Sequence, residues 1–218
     1  MKTKEKQYRF LSNQKYSKAT FGPMSAQTWI DDPKRLIFLL SRYKHVSKML
    51  TGRINVLEVG CGDGFGSKVV SQQIKSLTGV DFDSIFISRA KKVNPKAKFK
   101  VHDMLRGPVL GNFDAVYSLD VLEHILPSKE DFFFQHCVQS AKREAIFIFG
   151  SPSLESQSYA SRASREGHVN CKTENQMRTS LSRHFGVVLI FGMNDEVLHT
   201  GFSSMCHYRI AVCCVPKK

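Results

Sequence analysis

Four glycines at alternate positions, 60, 62, 64 and 66, lie in the stretch Val56-Leu-Glu-Val-Gly-Cys-Gly-Asp-Gly-Phe-Gly-Ser67. Alternate glycines let a backbone turn tightly and let a ligand approach main-chain N–H groups. A helical segment is expected over 66–74, and a helix start favours negative charge. The chain therefore builds a socket for a nucleotide-like ligand at the end of a first strand. A dinucleotide fingerprint counted from Gly60 needs glycine at 65, where Phe65 stands, and no Gly-Lys-Ser/Thr triplet follows to make a phosphate loop. Asp81 falls about twenty residues beyond the first loop glycine, where an acid at a strand end accepts hydrogen bonds from ribose hydroxyls. A second constellation is Asp120, Glu123 and His124, spaced so that one helical turn would put all three on one face. His168 lies further on, in Glu166-Gly-His-Val-Asn170, and a third polar group, Asn194, Asp195, Glu196, His199 and Thr200, lies between two late strands.

These residues need a frame, and the pattern of the chain provides one. Asp31-Asp32-Pro33 reads as a helix start, and Leu36, Leu39, Leu40, Tyr43, Val46, Met49 and Leu50 then recur at helical spacing. Strands are expected at 54–59, 76–81, 97–102, 113–119 and 144–150, and helices at 66–74, 83–93 and 128–141. Such alternation implies a parallel sheet covered on both faces. Residues 151–172 read as a long loop beside the strand ends. Thr173 and Gln176 form a capping box that opens a helix running to about His184. Strands at 187–192 and about 206–215 close the chain. The segment of about twelve residues between them exceeds a plain hairpin loop and is expected either to act as a lid that reads substrate polar groups or to form an Ω-loop held by its own hydrogen bonds.

The E-x-G-x-G-x-G pattern, with Glu58 inside the strand, resembles motif I of the class I S-adenosylmethionine-dependent methyltransferases. The resemblance runs from about residue 30 to 215. It implies an α/β Rossmann-like three-layer sandwich with a seven-stranded, mostly parallel sheet whose last strand is antiparallel. It implies S-adenosylmethionine as cofactor, held by Glu58, Gly60, Cys61, Gly62, Gly64, Asp81, Phe82, Asp103, Met104 and Leu119. Asp81 would take the ribose, Phe82 would cover the adenine edge, and Asp103 with Met104 would meet the adenine. Glu58, as a buried carboxylate, needs donors, which loop N–H groups or the cofactor's amino group would supply. Asp120-Val-Leu-Glu-His124 resembles the element of small-molecule O-methyltransferases of the ubiquinone pathway type. That resemblance assigns catalysis to His124 and His168 as general bases and substrate contacts to Asp120, Asp195, Glu196 and His199. Some similar enzymes, including small-RNA 2′-O-methyltransferases, bind a divalent metal with comparable groups. The equivalent set here is Asp120, Glu123, His124 and His168, with the metal-free route preferred because the first carboxylate is the shorter Asp.

At 218 residues with 42% hydrophobic content the chain fits one domain with a full core. Residues 31–218 form the expected methyltransferase domain, and residues 1–30 a basic, partly mobile N-terminal arm. No apolar run approaches a membrane span, and no secretory signal is visible. Six cysteines without a C-x-x-C pair read as free thiols of a cytoplasmic protein. The net charge is +13, and residues 1–50 hold 11 Lys/Arg against 3 Asp/Glu, or +8 of that total. A basic arm reads first as a solvated tail that keeps the protein soluble and otherwise as a site for an anionic partner. The leading expectation is O-methylation of a small polar acceptor that is sugar-, phenol- or nucleotide-linked. Behind it stand an RNA methyltransferase, with nucleic acid as partner, and a non-catalytic S-adenosylmethionine-binding regulatory subunit. Phe21 and Trp29 are expected in the core, with closure over the cofactor as part of an N-terminal cover as the alternative. Oligomeric state is open.

Overall fold

A computed structural model describes residues 5–8 and 20–217 of the chain. Half of the expected N-terminal arm, residues 1–4 and 9–19, lies outside the described residues. Its last part is ordered as a helix, α1 (Pro23–Asp31), which the sequence pattern did not announce. A second helix, α2 (Pro33–Met49), follows directly, and the Asp32 side chain accepts from the Lys34 N–H at its start, which is how a cap satisfies an otherwise orphaned donor. The Leu36, Tyr43 and Val46 stripe of α2 is buried, as the spacing predicts.

Eight strands form one sheet: β1 (Asn55–Val59), β2 (Ser76–Asp81), β3 (Lys98–Val101), β4 (Phe113–Leu119), β5 (Ala141–Pro152), β6 (Phe185–Asn194), β7 (Val197–His199) and β8 (Tyr208–Pro216). Their spatial order is β3-β2-β1-β4-β5-β8-β6-β7. β1 to β5 pair in parallel, and β8 inserts antiparallel between β5 and β6. The expected Rossmann-like architecture with an antiparallel last strand is present. The strand count rises from seven to eight because the supposed lid begins as a hairpin. β7 folds back on β6, with Asn194 opposite Val197, and Asp195 turns the corner at φ 49°, which suits a two-residue hairpin turn.

Alternation along the strands divides two cores. Leu57, Val116, Phe147 and Phe149 face α5 (Glu130–Ser140) and α7 (Glu174–Ser182), where Phe133, Phe134 and Leu181 cover them. Val56, Ala115, Tyr117 and Ile148 face the opposite way, toward Tyr43, Val46 and Leu50. The helix expected over 66–74 is reduced to α3 (Ser67–Val70), while α4 (Ser84–Val93) covers β2 and β3 as expected. The long loop after β5 contains a 3-10 turn, Glu155–Tyr159, and a short helix, α6 (Arg162–Gly167). The capping box at Thr173 and Gln176 is formed. Among the described residues no helix is long and apolar enough to cross a membrane.

Candidate functional site

The glycine loop leaves β1 with Gly60, Gly62 and Gly64 at φ 76°, 51° and 75°, a region that glycine occupies without steric cost. Close packing adds a second constraint. A Cβ on Gly60 would lie 2.1 Å from Val121 Cγ2, and one on Gly66 would lie 2.2 Å from the Tyr43 ring. Several loop amides find acceptors within the protein. Gly60 and Cys61 both donate to the Val80 carbonyl, Gly64 donates to the Cys61 carbonyl, and Gly62 donates to Asp81 Oδ2 at 3.0 Å. The loop crosses the end of β2, so its N–H groups find acceptors there. α3 spans one turn only, so the helix start contributes less than the pattern implied.

Asp81 thus clasps the loop through Oδ2 and the Asp83 N–H through Oδ1. Each carboxylate oxygen keeps further lone-pair capacity for a diol. Asp83 is the cap of α4. Phe82 stands 77% exposed beside it, free to cover a flat ring. Asp103 accepts from the Leu105 N–H and pairs with Arg106 at 3.3 Å, while Met104 is buried. Glu58 lies under the loop rather than in it. It is fully buried and accepts from the Ser67 hydroxyl at the first turn of α3. Burial raises its carboxyl to about 7, against the Ser67 hydrogen bond. Burial also pushes the Cys61 thiol far up, so this thiol is not a nucleophile.

A cavity of about 520 Å³ runs from Gly60, Cys61, Gly62 and Asp63 toward Asp120, His124 and His168, and Leu119 also lines it. α1 roofs its loop end. Asp63 accepts from the Ser25 N–H at 2.9 Å and from its hydroxyl at 3.0 to 3.1 Å. Phe21 stacks on Trp29 and tilts against Phe65 of the loop. Both aromatics remain about half exposed, so they belong to this cover and not to the core, because α1 lies over the loop outside the sheet.

At the far end a 3-10 turn, Leu122–His124, follows β4. Asp120 precedes that turn at φ 57°, so it does not share a helical face with Glu123 and His124. Its Oδ1 is held instead by Arg42 Nη1 at 2.7 Å. His124 Nδ1 lies 2.9 Å from the Gly167 carbonyl, and His168 Nδ1 lies 2.8 Å from Gln157 Oε1. Gln157 donates its own amide to the Ser153 carbonyl and the Ser156 hydroxyl, which fixes Oε1 toward the imidazole. Both Nδ1 atoms must therefore donate, and both Nε2 atoms keep a lone pair. The two rings meet edge to face at 5.2 Å. Burial, with His124 adjacent, lowers the pKa of His168. Glu123 is buried, and its carboxyl is raised well above the ordinary range by burial and by Asp120. One ligating atom from each of Glu123, His124 and His168 falls within 4.8 Å of the others. Asp120 stands outside that group.

The late polar segment is placed differently. Asp195 and Glu196 are exposed at the β6–β7 turn and do not line the cavity. His199 accepts from the Gly201 N–H through Nδ1 and meets Asn194 Oδ1 through Nε2. Both of its nitrogens are used inside the hairpin, so it is a lock of that loop.

Sequence reasoning missed Arg42, Gln157, Asp63, Ser25 and Arg209. Arg42 had a signal: it falls among Leu39, Tyr43 and Val46 on the apolar stripe of α2, and a charge there demands a buried partner. Arg209, 1% exposed, makes a bidentate pair with Glu155 at 2.9 Å for each arm and also donates to the Lys172 carbonyl. It thereby holds the 3-10 turn that carries Gln157. Nothing in its local sequence marked it, since Glu155 lies 54 residues away.

A family model described as "Methyltransferase domain" matches residues 56–144, from β1 into β5. A probable S-adenosylmethionine-dependent methyltransferase of Mycolicibacterium smegmatis is 22% identical over 112 residues, covering 51% of this chain and 42% of that protein. The ubiquinone biosynthesis O-methyltransferase of Pelagibacter ubique is 26% identical over 110 residues, covering 49% of this chain and 45% of that protein. The chain thus spans less than half the length of these curated relatives. Among solved structures, the N-methyltransferase NodS of Bradyrhizobium japonicum WM9, in complex with S-adenosyl-L-homocysteine, superposes with a TM-score of 0.65 at 17% identity, covering 87% of this chain and 91% of that one. At that identity the likeness speaks for the fold.

Proposed function

We propose that the chain is a class I S-adenosylmethionine-dependent methyltransferase, a reading supported by its likeness over residues 56–144 and by its fold, and that it methylates a hydroxyl oxygen of a small polar acceptor held between Asp120, His124 and His168. The observation that carries this reading is the pair of imidazoles with Nδ1 pinned by carbonyl oxygens, in the cavity that begins at the glycine loop.

The residues present fit the cofactor. Three loop glycines hold left-handed backbone, Asp81 keeps acceptor capacity at the end of β2, and Phe82 is free to cover a ring. S-adenosylmethionine, when bound, supplies an electrophilic methyl group on a sulfonium sulfur. His124 and His168 each offer an Nε2 lone pair to the proton that a hydroxyl gives up as its oxygen is methylated. α1 and the aromatic cover roof the loop end, and the hydrogen bonds to Gly167 and Gln157 orient the imidazoles. Positioning of this kind accounts for much of the rate in a displacement between two bound partners. The test is calorimetric titration with S-adenosylmethionine, followed by detection of S-adenosylhomocysteine release on adding acceptors. Absence of cofactor binding would remove the reading.

A second route has its own observation. Among the described residues Glu123 Oε2 is buried without a hydrogen-bond partner, and one oxygen of the Glu123 carboxylate lies within 4.8 Å of a ring nitrogen of each imidazole. One carboxylate oxygen and two imidazole nitrogens suit a divalent cation, and His124 and His168 both carry the carbonyl-anchored Nδ1 usual for ligating histidines. The three residues that would hold it are Glu123, His124 and His168, and the ion would lower the pKa of an acceptor hydroxyl. Elemental analysis and melting with and without added Mg²⁺, Mn²⁺ or Zn²⁺ test this route. A metal-free protein whose melting and turnover ignore both chelator and cation would exclude it.

A further inference from the structure

The end of the sheet opposite the cavity is strongly basic. β1 to β5 run in parallel, so their first residues gather at one end, with Asn55 opposite Ser76 and Phe113 opposite Ala141. The glycine loop and the cavity begin at the other end of β1, five residues on, or roughly 16 Å at the rise of a strand. Hydrogen bonds stitch the connections at the strand-start end into one surface. The Asn94 amide donates to Ser71 Oγ, the Lys75 N–H to the Arg53 carbonyl, the Asn55 amide to the Gly111 carbonyl and the Val109 N–H to Ser140 Oγ.

Five stretches make up this surface: 48–55, 71–76, 91–98, 107–114 and 141–144. They hold nine Lys and Arg against two acids. One of the acids, Asp114, already accepts from the N–H groups of Ile54 and Asn55. None of the nine cations is in an ion pair among the described residues. Lys48, Lys91 and Lys92 stand in the last turns of α2 and α4 and suit the negative end of a helix dipole. Lys98 protects an edge strand. Neither reason covers Arg53, Lys75, Lys96, Lys142 or Arg143.

Aliphatic side chains project among these cations. Leu110 is 89% exposed, Ile54 57% and Met49 41%. Leu110 is held outward, because Val109 before it is buried and bonded to Ser140 while Gly111 after it is bonded to Asn55. Cations around protruding aliphatic groups fit an anionic bilayer, whose head groups attract lysine and whose acyl boundary accepts leucine. A nucleic acid fits less well. Seven of the nine cations are Lys and not Arg, which grips phosphate with two parallel bonds. No exposed aromatic stands in the five stretches to stack on a base.

We infer that the strand-start end of the sheet is a docking surface for an anionic lipid bilayer, with Leu110 and Ile54 entering the head-group layer and the surrounding lysines meeting lipid phosphates. No residue of these stretches lines the cavity, so the docked protein keeps its cavity open to water, and the inference stands apart from the methyl-transfer reading.

The experiment floats the full chain with vesicles of phosphatidylcholine alone and of phosphatidylcholine mixed with phosphatidylglycerol. The expected result is binding to the mixed vesicles, weaker as salt rises, and none to the neutral ones. Lys96→Glu with Lys98→Glu should weaken binding about tenfold or more, since each lysine near an anionic surface contributes roughly fivefold. Lys34→Glu with Arg165→Glu makes the same charge change at the cavity end, where α2 starts and Ser164 lines the wall. That control should stay within about twofold of the parent, because charges beyond a Debye length are screened. Leu110→Ser should weaken binding at high salt by roughly tenfold, the scale of a lost apolar side chain. All of these side chains are exposed, so the variants should melt with the parent. Equal losses in the two charge variants would reduce the effect to net charge and overturn the inference, as would unchanged binding in Leu110→Ser. A parent that ignores the mixed vesicles overturns it too, and capture of an RNA oligonucleotide in their place, lost in the Lys96→Glu and Lys98→Glu variant, would assign the surface to nucleic acid.

Discussion

Ser25 and Asp63 join the roof of the cavity to its floor: the Asp63 carboxylate takes the backbone N–H of Ser25 at 2.9 Å and its hydroxyl at 3.0 to 3.1 Å, and both residues are buried. Asp63 belongs to the glycine loop and Ser25 to α1, so one carboxylate couples the cover to the glycine turn. Gly22 must be glycine at this junction, because a Cβ there would lie 2.3 Å from Asp63 Cβ.

Removing that carboxylate should release the cover. Asp63→Ala is expected to expose the backbone near 20–32 to limited proteolysis and to weaken S-adenosylmethionine binding by roughly tenfold, in line with a lost charge-assisted hydrogen bond. Protease cleavage mapped by mass spectrometry, with calorimetry on the same sample, checks both. Parent-like cleavage and affinity would show that α1 stays seated without the latch.

The two imidazoles should separate binding from chemistry. His124→Ala and His168→Ala are each expected to hold S-adenosylmethionine within about twofold of the parent and to lose on the order of 10²-fold in kcat, the usual scale of a missing proton acceptor. Gln157→Ala should give a smaller loss in kcat by freeing the His168 ring. A His124→Ala protein with full turnover would end its assigned role.

Glu58 gives stability a pH dependence of definite sign. Its folded pKa, about 7, lies above the unfolded value near 4.5, so the folded state holds the proton more tightly. Its contribution is complete below about 4.5 and fades as pH rises through 7, at up to about 1.4 kcal/mol per pH unit for one proton. Glu123 is shifted the same way, so the parent should lose stability across this window. Glu58→Gln should show a shallower loss in urea melts between pH 5 and 7. An identical slope would show that Glu58 does not carry it.

Arg209 should matter to stability and to turnover together. It is buried in a bidentate pair with Glu155, and leaving one partner of a buried pair alone costs about 3 kcal/mol or more. Arg209→Met is expected to lower the melting temperature by several degrees. The double variant with Glu155→Leu should recover stability, but not turnover, because Gln157 loses its anchored turn. Denaturant melts and kcat on the set of three decide it.

Much of this protein was legible in the chain itself. The alternating strands, the capped helices at Pro33, Ser84 and Glu174, the glycine loop and the acid at the end of β2 all follow from local chemistry. Glycines at φ near 50–76° are required by the turn they make, and period-two alternation fixes which strand face meets which helix. The motif also carried the likeness to methyltransferases. The pairing of distant side chains was decided only in three dimensions. Arg42 finds Asp120 across 78 residues and Arg209 finds Glu155 across 54. The N–H of Gly62 turns to Asp81, and His199, which looked like a substrate contact, spends both nitrogens on its own hairpin. The physical reason is the same in each case. A local pattern sets backbone conformation, whereas the partner of a buried charge or ring nitrogen depends on which elements the sheet brings side by side, and no spacing along the chain encodes that.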